Sequence, residues 1–124
     1  ILYFYPADFT LGCTNEACGY RDTFELFQSF DIDIVGISKD SLESHYKFKT
    51  QYNLPYELLT DANMEIANLY QVTIPIINFT KRTTYLLDRY HKISSVYENI
   101  FVAKMHIQEM IKKAKGMNQM AKVI

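Results

Sequence analysis

Two cysteines are the residues of this sequence best suited to chemistry. Cys13 and Cys18 lie five residues apart in the stretch YPADFTLGCTNEACGYRD, directly after an apolar run that is typical of a strand. A thiolate can bind a metal, exchange with a disulfide or attack an electrophile. The spacing of the pair and its place in the chain discriminate among these chemistries.

A metal site is not expected at the cysteine pair. A structural zinc ion takes four ligands, commonly cysteines and histidines in closely spaced pairs. The other soft ligands are scattered along the chain as His45, His91 and His106, and we interpret each as a surface or half-buried histidine. A thioredoxin-type redox pair is also not expected, because it requires the spacing Cys-x-x-Cys.

The position of Cys13 indicates a reactive thiol. Cys13 follows Gly12 near the start of a predicted helix, where unpaired backbone N–H groups and the helix dipole favour an anion. A helix N-terminus or a nearby cation can lower the pKa of a thiol from about 8.5 to between about 3.5 and 7.5. The alternative is a pair of inert buried thiols, since free cysteine is among the most buried residue types. The local chemistry favours the reactive thiol.

The spacing of the cysteines argues against a static disulfide. Five residues along a helix give a rise of about 7.5 Å and a rotation of about 140°, so the Cα atoms would lie roughly 8 to 9 Å apart. A disulfide usually joins Cα atoms about 4.4–6.8 Å apart. Pairing of Cys13 with Cys18 would therefore require the first turns of the helix to unwind, and Gly12 and Gly19 lower the cost of such a change. A disulfide formed during a reaction cycle is compatible with this geometry.

The elements that position the cysteines are predicted from apolar periodicity and capping residues. They are, in order, a strand at 1–5, a helix at 14–30, a strand at 32–39, a helix at 41–53, a short strand at 56–61, a short helix at 61–72, strands at 83–88 and 92–98, and a helix at 102–118. The first helix is expected to bury Cys18, Phe24, Phe27 and Phe30. Ser41 is the expected cap of the second helix, and Asp61 or Asn63 that of the third. This order predicts an α/β fold in which helices flank a central mixed sheet.

Composition bounds the class of protein. The chain has 124 residues, 48% of them hydrophobic, which is enough for one domain over 1–124. A net charge of −1 does not indicate a nucleic acid partner or an anionic membrane surface, and no apolar run approaches the roughly 20 residues of a membrane span. Two cysteines are too few for a secreted disulfide framework, which favours a reducing intracellular compartment. The chain opens inside a strand without a Met, so we expect further N-terminal residues, including any segment that would direct it to an organelle rather than the cytoplasm.

Three motifs in this order resemble those of the peroxiredoxins. Pro6-x-x-x-Thr10-x-x-Cys13 is similar to the active-site signature of that family. GCTNEACGYRD resembles the Q-type, or bacterioferritin-comigratory-protein, subfamily, in which a resolving cysteine lies five residues after the peroxidatic one. KRTTYLLD resembles a later segment whose arginine, here Arg82, faces the active-site thiol. The resemblance covers nearly the whole chain, although Leu11 stands where the subfamily often has proline.

The resemblance implies a thioredoxin-like fold and a peroxidase reaction without a cofactor. Cys13 as a thiolate would attack a hydroperoxide and become a sulfenic acid. Thr10 would hold the peroxide and the thiolate, Arg82 would stabilise their charge, and Pro6 would shield the sulfenic acid from water. Cys18 would then form an intramolecular disulfide, which thioredoxin or a similar dithiol would reduce.

The resemblance also implies supporting residues and leaves alternatives. Glu16 is expected to be a carboxylate that helps to orient the arginine, and Arg21 is expected to join the same network. The protein is expected to be a monomer or a weak dimer. The main alternative to an enzyme is a peroxide sensor or redox relay that passes oxidation to a protein partner. A further alternative is a chain that keeps the fold and has lost activity.

Overall fold

The structure is a computed structural model that describes the backbone of residues 1–123 and the side chains of residues 1–74 and 76–118. Within these residues the chain forms five α-helices, one 3-10 helix at Pro75–Ile77 and seven strands. They are β1 (Leu2–Phe4), α1 (Leu11–Asp22), α2 (Phe24–Ser29), β2 (Val35–Ser38), α3 (Leu42–Tyr52), β3 (Glu57–Thr60), α4 (Glu65–Leu69), β4 (Thr73–Ile74), β5 (Phe79–Thr80), β6 (Thr83–Leu87), β7 (Ile93–Glu98) and α5 (Ala103–Val123).

The main sheet has five strands in the order β3-β2-β1-β6-β7. β2 pairs in parallel with both β1 and β3, because helical connections between these strands return the chain to the same end of the sheet. β6 pairs antiparallel with β1 and with β7. The predicted mixed sheet flanked by helices is confirmed, and so is the predicted hairpin of β6 and β7.

The hairpin turn is closed without a glycine. The Asp88 carboxylate accepts hydrogen bonds from the backbone N–H groups of Tyr90 and Lys92 at 2.8 and 3.0 Å. His91 takes the left-handed conformation, with φ 62°, where glycine is more usual. Two carboxylate hydrogen bonds offset the cost of that backbone strain.

The single helix predicted over 14–30 is wrong in its bounds and its inner face. The structure has α1 and α2 separated at Thr23, whose backbone leaves the helical region and whose hydroxyl donates to the Gly19 carbonyl at 2.8 Å. The buried face of α1 consists of Cys13, Glu16, Ala17 and Tyr20, and only Phe27 of the expected set is fully buried. The helical spacing of three and four residues selects this face even though it includes an acid.

Ser41 caps α3 as predicted, Asp61 caps α4 through its side chain although Met64 occupies the N-cap position, and a small second sheet was not predicted. The Ser41 hydroxyl accepts the N–H of Ser44 at 3.1 Å, which starts α3. The Asp61 carboxylate accepts the N–H groups of Ile66 and Ala67 at the start of α4. β4 and β5 form a two-stranded ladder too short to show a periodic pattern in the sequence.

The core lies on both faces of the main sheet. Because side chains alternate along a strand, Tyr3 of β1 and Tyr5, the residue that follows β1, pack into one cluster, while Phe4 packs into the other. Helices α1 and α5 contribute to the first cluster and α4 to the second. Among the described residues, no helix has the length and apolar character that crossing a membrane requires.

The sheet topology brings the two halves of the site together. α1 follows the carboxyl end of β1, and the register of β1 with β6 sets Phe4 opposite Thr83. The residue before Thr83 is Arg82, which therefore lies at the same end of the sheet as the loop that leads into α1.

Candidate active site

Cys13 lies in the first turn of α1 with its side chain buried. The helix begins after Thr10, whose extended backbone lets its carbonyl accept the N–H of Thr14 at 2.8 Å. The N–H groups of the first turn have no partner within a helix, so they and the helix dipole favour a negative charge at Cys13. Only 1% of Cys13 is exposed.

Arg82 is the cation beside this thiol. Its Nη2 atom donates to Cys13 Sγ at 3.2 Å, its Nη1 atom to Glu16 Oε1 at 2.7 Å, and its Nε atom to the Ile100 carbonyl at 3.4 Å. Burial opposes the charge of Arg82, but the carboxylate of Glu16 and the thiol of Cys13 outweigh burial and raise the pKa of Arg82 further above its ordinary value. The guanidinium is therefore a permanent charge held in one orientation.

Two glycines make room for these contacts. A Cβ atom on Gly12 would lie 3.0 Å from Arg82 Nη2, and a Cβ atom on Gly19 would lie 2.9 Å from Ile107 Cδ1. Gly12 thus allows the guanidinium to approach the helix backbone, and Gly19 allows α1 and α5 to pack closely. At both positions a residue larger than glycine would collide with the neighbouring side chain.

Glu16 is fully buried one turn after Cys13. Its Oε1 atom accepts from Arg82, whereas Oε2 has no hydrogen-bond partner among the described residues. Burial raises the pKa of Glu16 to about 8 against the opposing effect of Arg82. Sequence reasoning expected Glu16 to be a supporting carboxylate, and the structure places it in direct contact with Arg82.

The structure places Thr10 and Pro6 in the loop between β1 and α1. The Thr10 hydroxyl is exposed and donates to the Ala7 carbonyl at 2.9 Å. Pro6 is half-buried where the chain leaves β1. Between them Phe9 has φ 65°, and its ring packs edge-on against Phe48 with centroids 5.1 Å apart. The loop is thus bent and anchored next to Cys13.

Cys18 and Arg21 lie outside the cluster around Arg82. Both cysteines are free, Cys13 buried and Cys18 half-buried on the same helix. Arg21 donates to Asp22 and to the backbone carbonyl of Tyr52, each at 2.9 Å. The structure therefore does not bring Arg21 into the network in which the sequence reasoning expected it.

Comparison with known proteins identifies the family of this chain. The profile of the AhpC/TSA family matches residues 1–96. The chain belongs to this family. Its relatives within the family include proteins named peroxiredoxin Q and peroxiredoxin Bcp, as the sequence motifs predicted.

Two relatives and one solved structure illustrate the similarity. The chloroplastic peroxiredoxin Q of Suaeda salsa is 41% identical over 113 residues, which cover 90% of this chain and 53% of the plant protein. Peroxiredoxin Bcp of Bacillus subtilis is 39% identical over 125 residues, which cover 96% of this chain and 79% of that protein. The crystal structure of peroxidoxin BcpB from Mycobacterium tuberculosis has a TM-score of 0.88 and 32% identity, covering 93% of this chain and 77% of that one. The chain spans about half the length of the plant relative.

His106 is a buried neighbour of Glu16 that sequence reasoning missed. Its Nε2 atom lies 2.7 Å from the Asn99 carbonyl and must carry the proton, so Nδ1 accepts the hydroxyl of Thr84 at 2.8 Å. The same Nδ1 atom lies 3.6 Å from Glu16 Oε2. Burial lowers the pKa of His106 to about 4, with Arg82 acting in the same direction. The imidazole is therefore neutral.

The expectation of surface or half-buried histidines is wrong for His106 and for His45, which are both buried. A signal for His106 was present in the sequence. The buried stripe of α5 has helical spacing and includes it: Ala103, His106, Ile107, Met110 and Ala114. A histidine within such a stripe must satisfy both ring nitrogens inside the protein.

A second buried cluster anchors the loop that carries Thr10. The carboxylate of Asp8 accepts hydrogen bonds from Tyr5 at 2.6 Å, from Ser44 at 2.8 Å and from His45 Nδ1 at 2.7 Å. The backbone N–H of Asp8 donates to Asp40 at 2.9 Å. These bonds join the loop to α3 and to the end of β2.

His45 is an imidazolium in this cluster. Nδ1 faces the Asp8 carboxylate and Nε2 lies 3.0 Å from the Leu59 carbonyl, so both nitrogens must donate. Burial lowers the pKa of His45, but the hydrogen bond and charge of Asp8 outweigh it and raise the pKa above 6.5. With Asp40 nearby, the three side chains resemble a group of metal ligands. Because both nitrogens of His45 are already engaged, we interpret the cluster as a structural ion pair.

Proposed function

We propose that this chain is a thiol-dependent peroxidase that reduces hydrogen peroxide and organic hydroperoxides through Cys13. The contact of Arg82 Nη2 with Cys13 Sγ at 3.2 Å carries the proposal. A guanidinium and a helix N-terminus together stabilise a thiolate, which is the nucleophilic form of cysteine. The relatives named peroxiredoxin support the same class of reaction.

In the first step, the Cys13 thiolate attacks one oxygen of the hydroperoxide. The S–O bond forms as the O–O bond breaks, and the leaving oxygen takes a proton to give water or an alcohol. Cys13 becomes a sulfenic acid and the peroxide gains two electrons. Arg82 stabilises the negative charge that passes from sulfur to the leaving oxygen, because its donors are already oriented.

The loop residues assist this step. The Thr10 hydroxyl is exposed, so it can exchange its bond with the Ala7 carbonyl for one with the peroxide or the thiolate. Pro6 covers the start of the loop and limits the access of water to the sulfenic acid. The anchored Asp8 holds this loop beside α1.

In the second step, Cys18 attacks the sulfenic sulfur, which forms a disulfide and releases water. Both thiols lie on α1, so this step requires the helix to unwind locally. Thioredoxin or a similar dithiol then reduces the disulfide by exchange. The half-buried position of Cys18 supports its role as the thiol that becomes mobile and accessible.

The experiment that tests the reaction is an intact-mass measurement after one equivalent of hydrogen peroxide. The reduced protein is expected to lose about 2 Da within seconds, and Cys18→Ser is expected to gain about 16 Da as a sulfenic acid. Cys13→Ser is the control that should show neither change. If the unmodified protein reacts only as slowly as free cysteine, Cys13 is not activated and the peroxidase proposal fails.

Turnover separates an enzyme from a redox relay. With a thioredoxin, its reductase and excess peroxide, an enzyme consumes many equivalents of peroxide per chain. A relay is oxidised once and stalls until its own partner is added. If each chain consumes only one equivalent of peroxide although the disulfide forms rapidly, the protein is a redox relay and not an enzyme.

A further inference from the structure

The cluster around Arg82 contains one cation and two acids, all buried. Arg82 contacts Cys13 on one side and Glu16 on the other. We propose that Glu16 holds a proton while Cys13 is a thiolate, and that Glu16 releases this proton when oxidation removes the charge of Cys13. Glu16 is thus a positioning residue that acts through Arg82, and the inference rests on the proposed function of Cys13.

Charge balance is the first argument. If Cys13 and Glu16 were both ionised, the buried cluster would carry a net negative charge, because among the described residues Arg82 supplies the one positive charge in contact with them. A buried charge without a partner is strongly disfavoured. One of the two acids must therefore hold a proton, and the cluster as a whole is neutral.

The helix decides which of the two acids is protonated. Cys13 lies in the first turn of α1, where the helix dipole stabilises an anion, whereas Glu16 lies beyond that turn. The Oε2 atom of Glu16 is buried and has no hydrogen-bond partner among the described residues. An ionised carboxylate would lose solvation at that atom without compensation, while a protonated one would not. Burial raises the pKa of Glu16 to about 8, which also favours the protonated carboxyl group.

Within the part of the chain that the structure describes, the groups that face Glu16 from neighbouring elements are uncharged except for Arg82. His106 of α5 is neutral because its Nε2 proton is donated to Asn99 and its Nδ1 atom accepts from Thr84. Burial also raises the pKa of three tyrosines near Glu16, which keeps them neutral: Tyr3, Tyr20 and Tyr56. No second cation among these groups competes to ionise Glu16.

The proton balance of the reaction changes as a result. Formation of the disulfide from one thiolate, one thiol and hydrogen peroxide yields two molecules of water and consumes one proton. When Cys13 loses its charge, Arg82 can pair with an ionised Glu16 alone. The proton consumed in the reaction is then offset by the one that Glu16 releases, and the cluster stays neutral.

Infrared difference spectroscopy of the whole chain tests the inference. The carbonyl stretch of a protonated carboxylic acid is expected in the reduced protein at pH 7 and is expected to be lost when the disulfide forms. Glu16→Gln should lack this band, and the exposed Glu25→Gln should keep it. In the reduced protein, the ultraviolet absorbance of a thiolate should be present in the same sample and be retained in Cys18→Ser.

The outcomes distinguish the inference from the proposed function. The oxidised state is prepared with hydrogen peroxide in one sample and with a disulfide-exchange reagent in another. If peroxide leaves Cys13 reduced but the exchange reagent produces the band change, the peroxidase proposal fails. The inference that Glu16 holds a proton and releases it on oxidation is then supported. If the reduced protein shows no carboxylic acid band, or if the band persists in Glu16→Gln, the inference that Glu16 is protonated is refuted. This holds whether or not peroxide oxidises Cys13. The unmodified protein alone supplies the first of these tests, so the result does not depend on the folding of a variant.

Discussion

Arg82 and Cys13 are 69 residues apart in the chain, and their Nη2 and Sγ atoms lie 3.2 Å apart in the fold. The antiparallel register of β1 and β6 creates this proximity, because it sets the start of β6 beside the loop that enters α1. The fork of the guanidinium then reaches Cys13 and Glu16 at the same time. The position of the guanidinium and the charges of both its partners therefore depend on one another.

Replacement of Arg82 by lysine is expected to lower the rate constant for oxidation by hydrogen peroxide about 10²- to 10³-fold. Lysine keeps a positive charge, but it cannot donate in a fixed fork to Cys13 and Glu16 together. Stopped-flow measurement of peroxide consumption checks the expectation. Lys81→Gln changes the neighbouring cation, which is partly exposed and 3.8 Å from Glu98, and should react at nearly the unmodified rate. Equal rates for Arg82→Lys and the unmodified protein would contradict the role given to the guanidinium.

Gly12→Ala is expected to reduce the same rate constant by about 10-fold while leaving the fold intact. The added methyl group would lie 3.0 Å from Arg82 Nη2 and displace the guanidinium by a few tenths of an ångström. Gly116→Ala is the matched control, because its Cβ would meet nothing within 4 Å and alanine favours the helix. An undiminished rate in Gly12→Ala would show that Arg82 tolerates displacement.

The pH dependence of stability should differ between the unmodified protein and Glu16→Gln. Burial raises the folded pKa of Glu16 from 4.5 to about 8. Between these values the folded state binds more protons than the unfolded state, so this contribution to stability falls as the pH rises. The difference in free energy of unfolding between the two proteins should decline by about 1 kcal/mol per pH unit from pH 6 to pH 8. Urea titrations under reducing conditions measure it, and a constant difference would mean that Glu16 is ionised in the folded state.

Asp8→Asn is expected to lower the free energy of unfolding by about 3 kcal/mol, since it leaves the buried His45 without its counter-ion. The loop before Thr10 should also lose its anchor, which lowers the rate of oxidation of Cys13. Asp22→Asn removes an exposed partner of Arg21 and should cost less than about 0.5 kcal/mol. Chemical denaturation of both variants makes the comparison. Equal and small losses in the two would contradict the assignment of His45 and Asp8 as a buried ion pair.

Local patterns were sufficient for much of the fold. The strand before Cys13, the caps Ser41 and Asp61, and the hairpin were predictable because each depends on residues close together in the chain. The break at Thr23 and the small sheet of β4 and β5 were not predictable. The pattern of apolar and polar residues does not change at Thr23, and strands of two residues are too short to show a periodic pattern.

The sequence by itself determined the chemistry that this protein brings to one place. Pro6, Thr10, Cys13 and Cys18 all lie near the start of one helix. Their residue types and spacing form the motif that led to the family.

Only the tertiary structure decided the charges around that chemistry. Glu16 belongs to α1 and His106 to α5, and the protonation state of each is shifted only because packing removes water from both. His45 is a cation because a carboxylate and a carbonyl from different elements face its two nitrogens. The protonation state of an ionisable group depends on its burial and on the groups that contact it in the fold. Neither can be predicted from the residues next to it in the sequence.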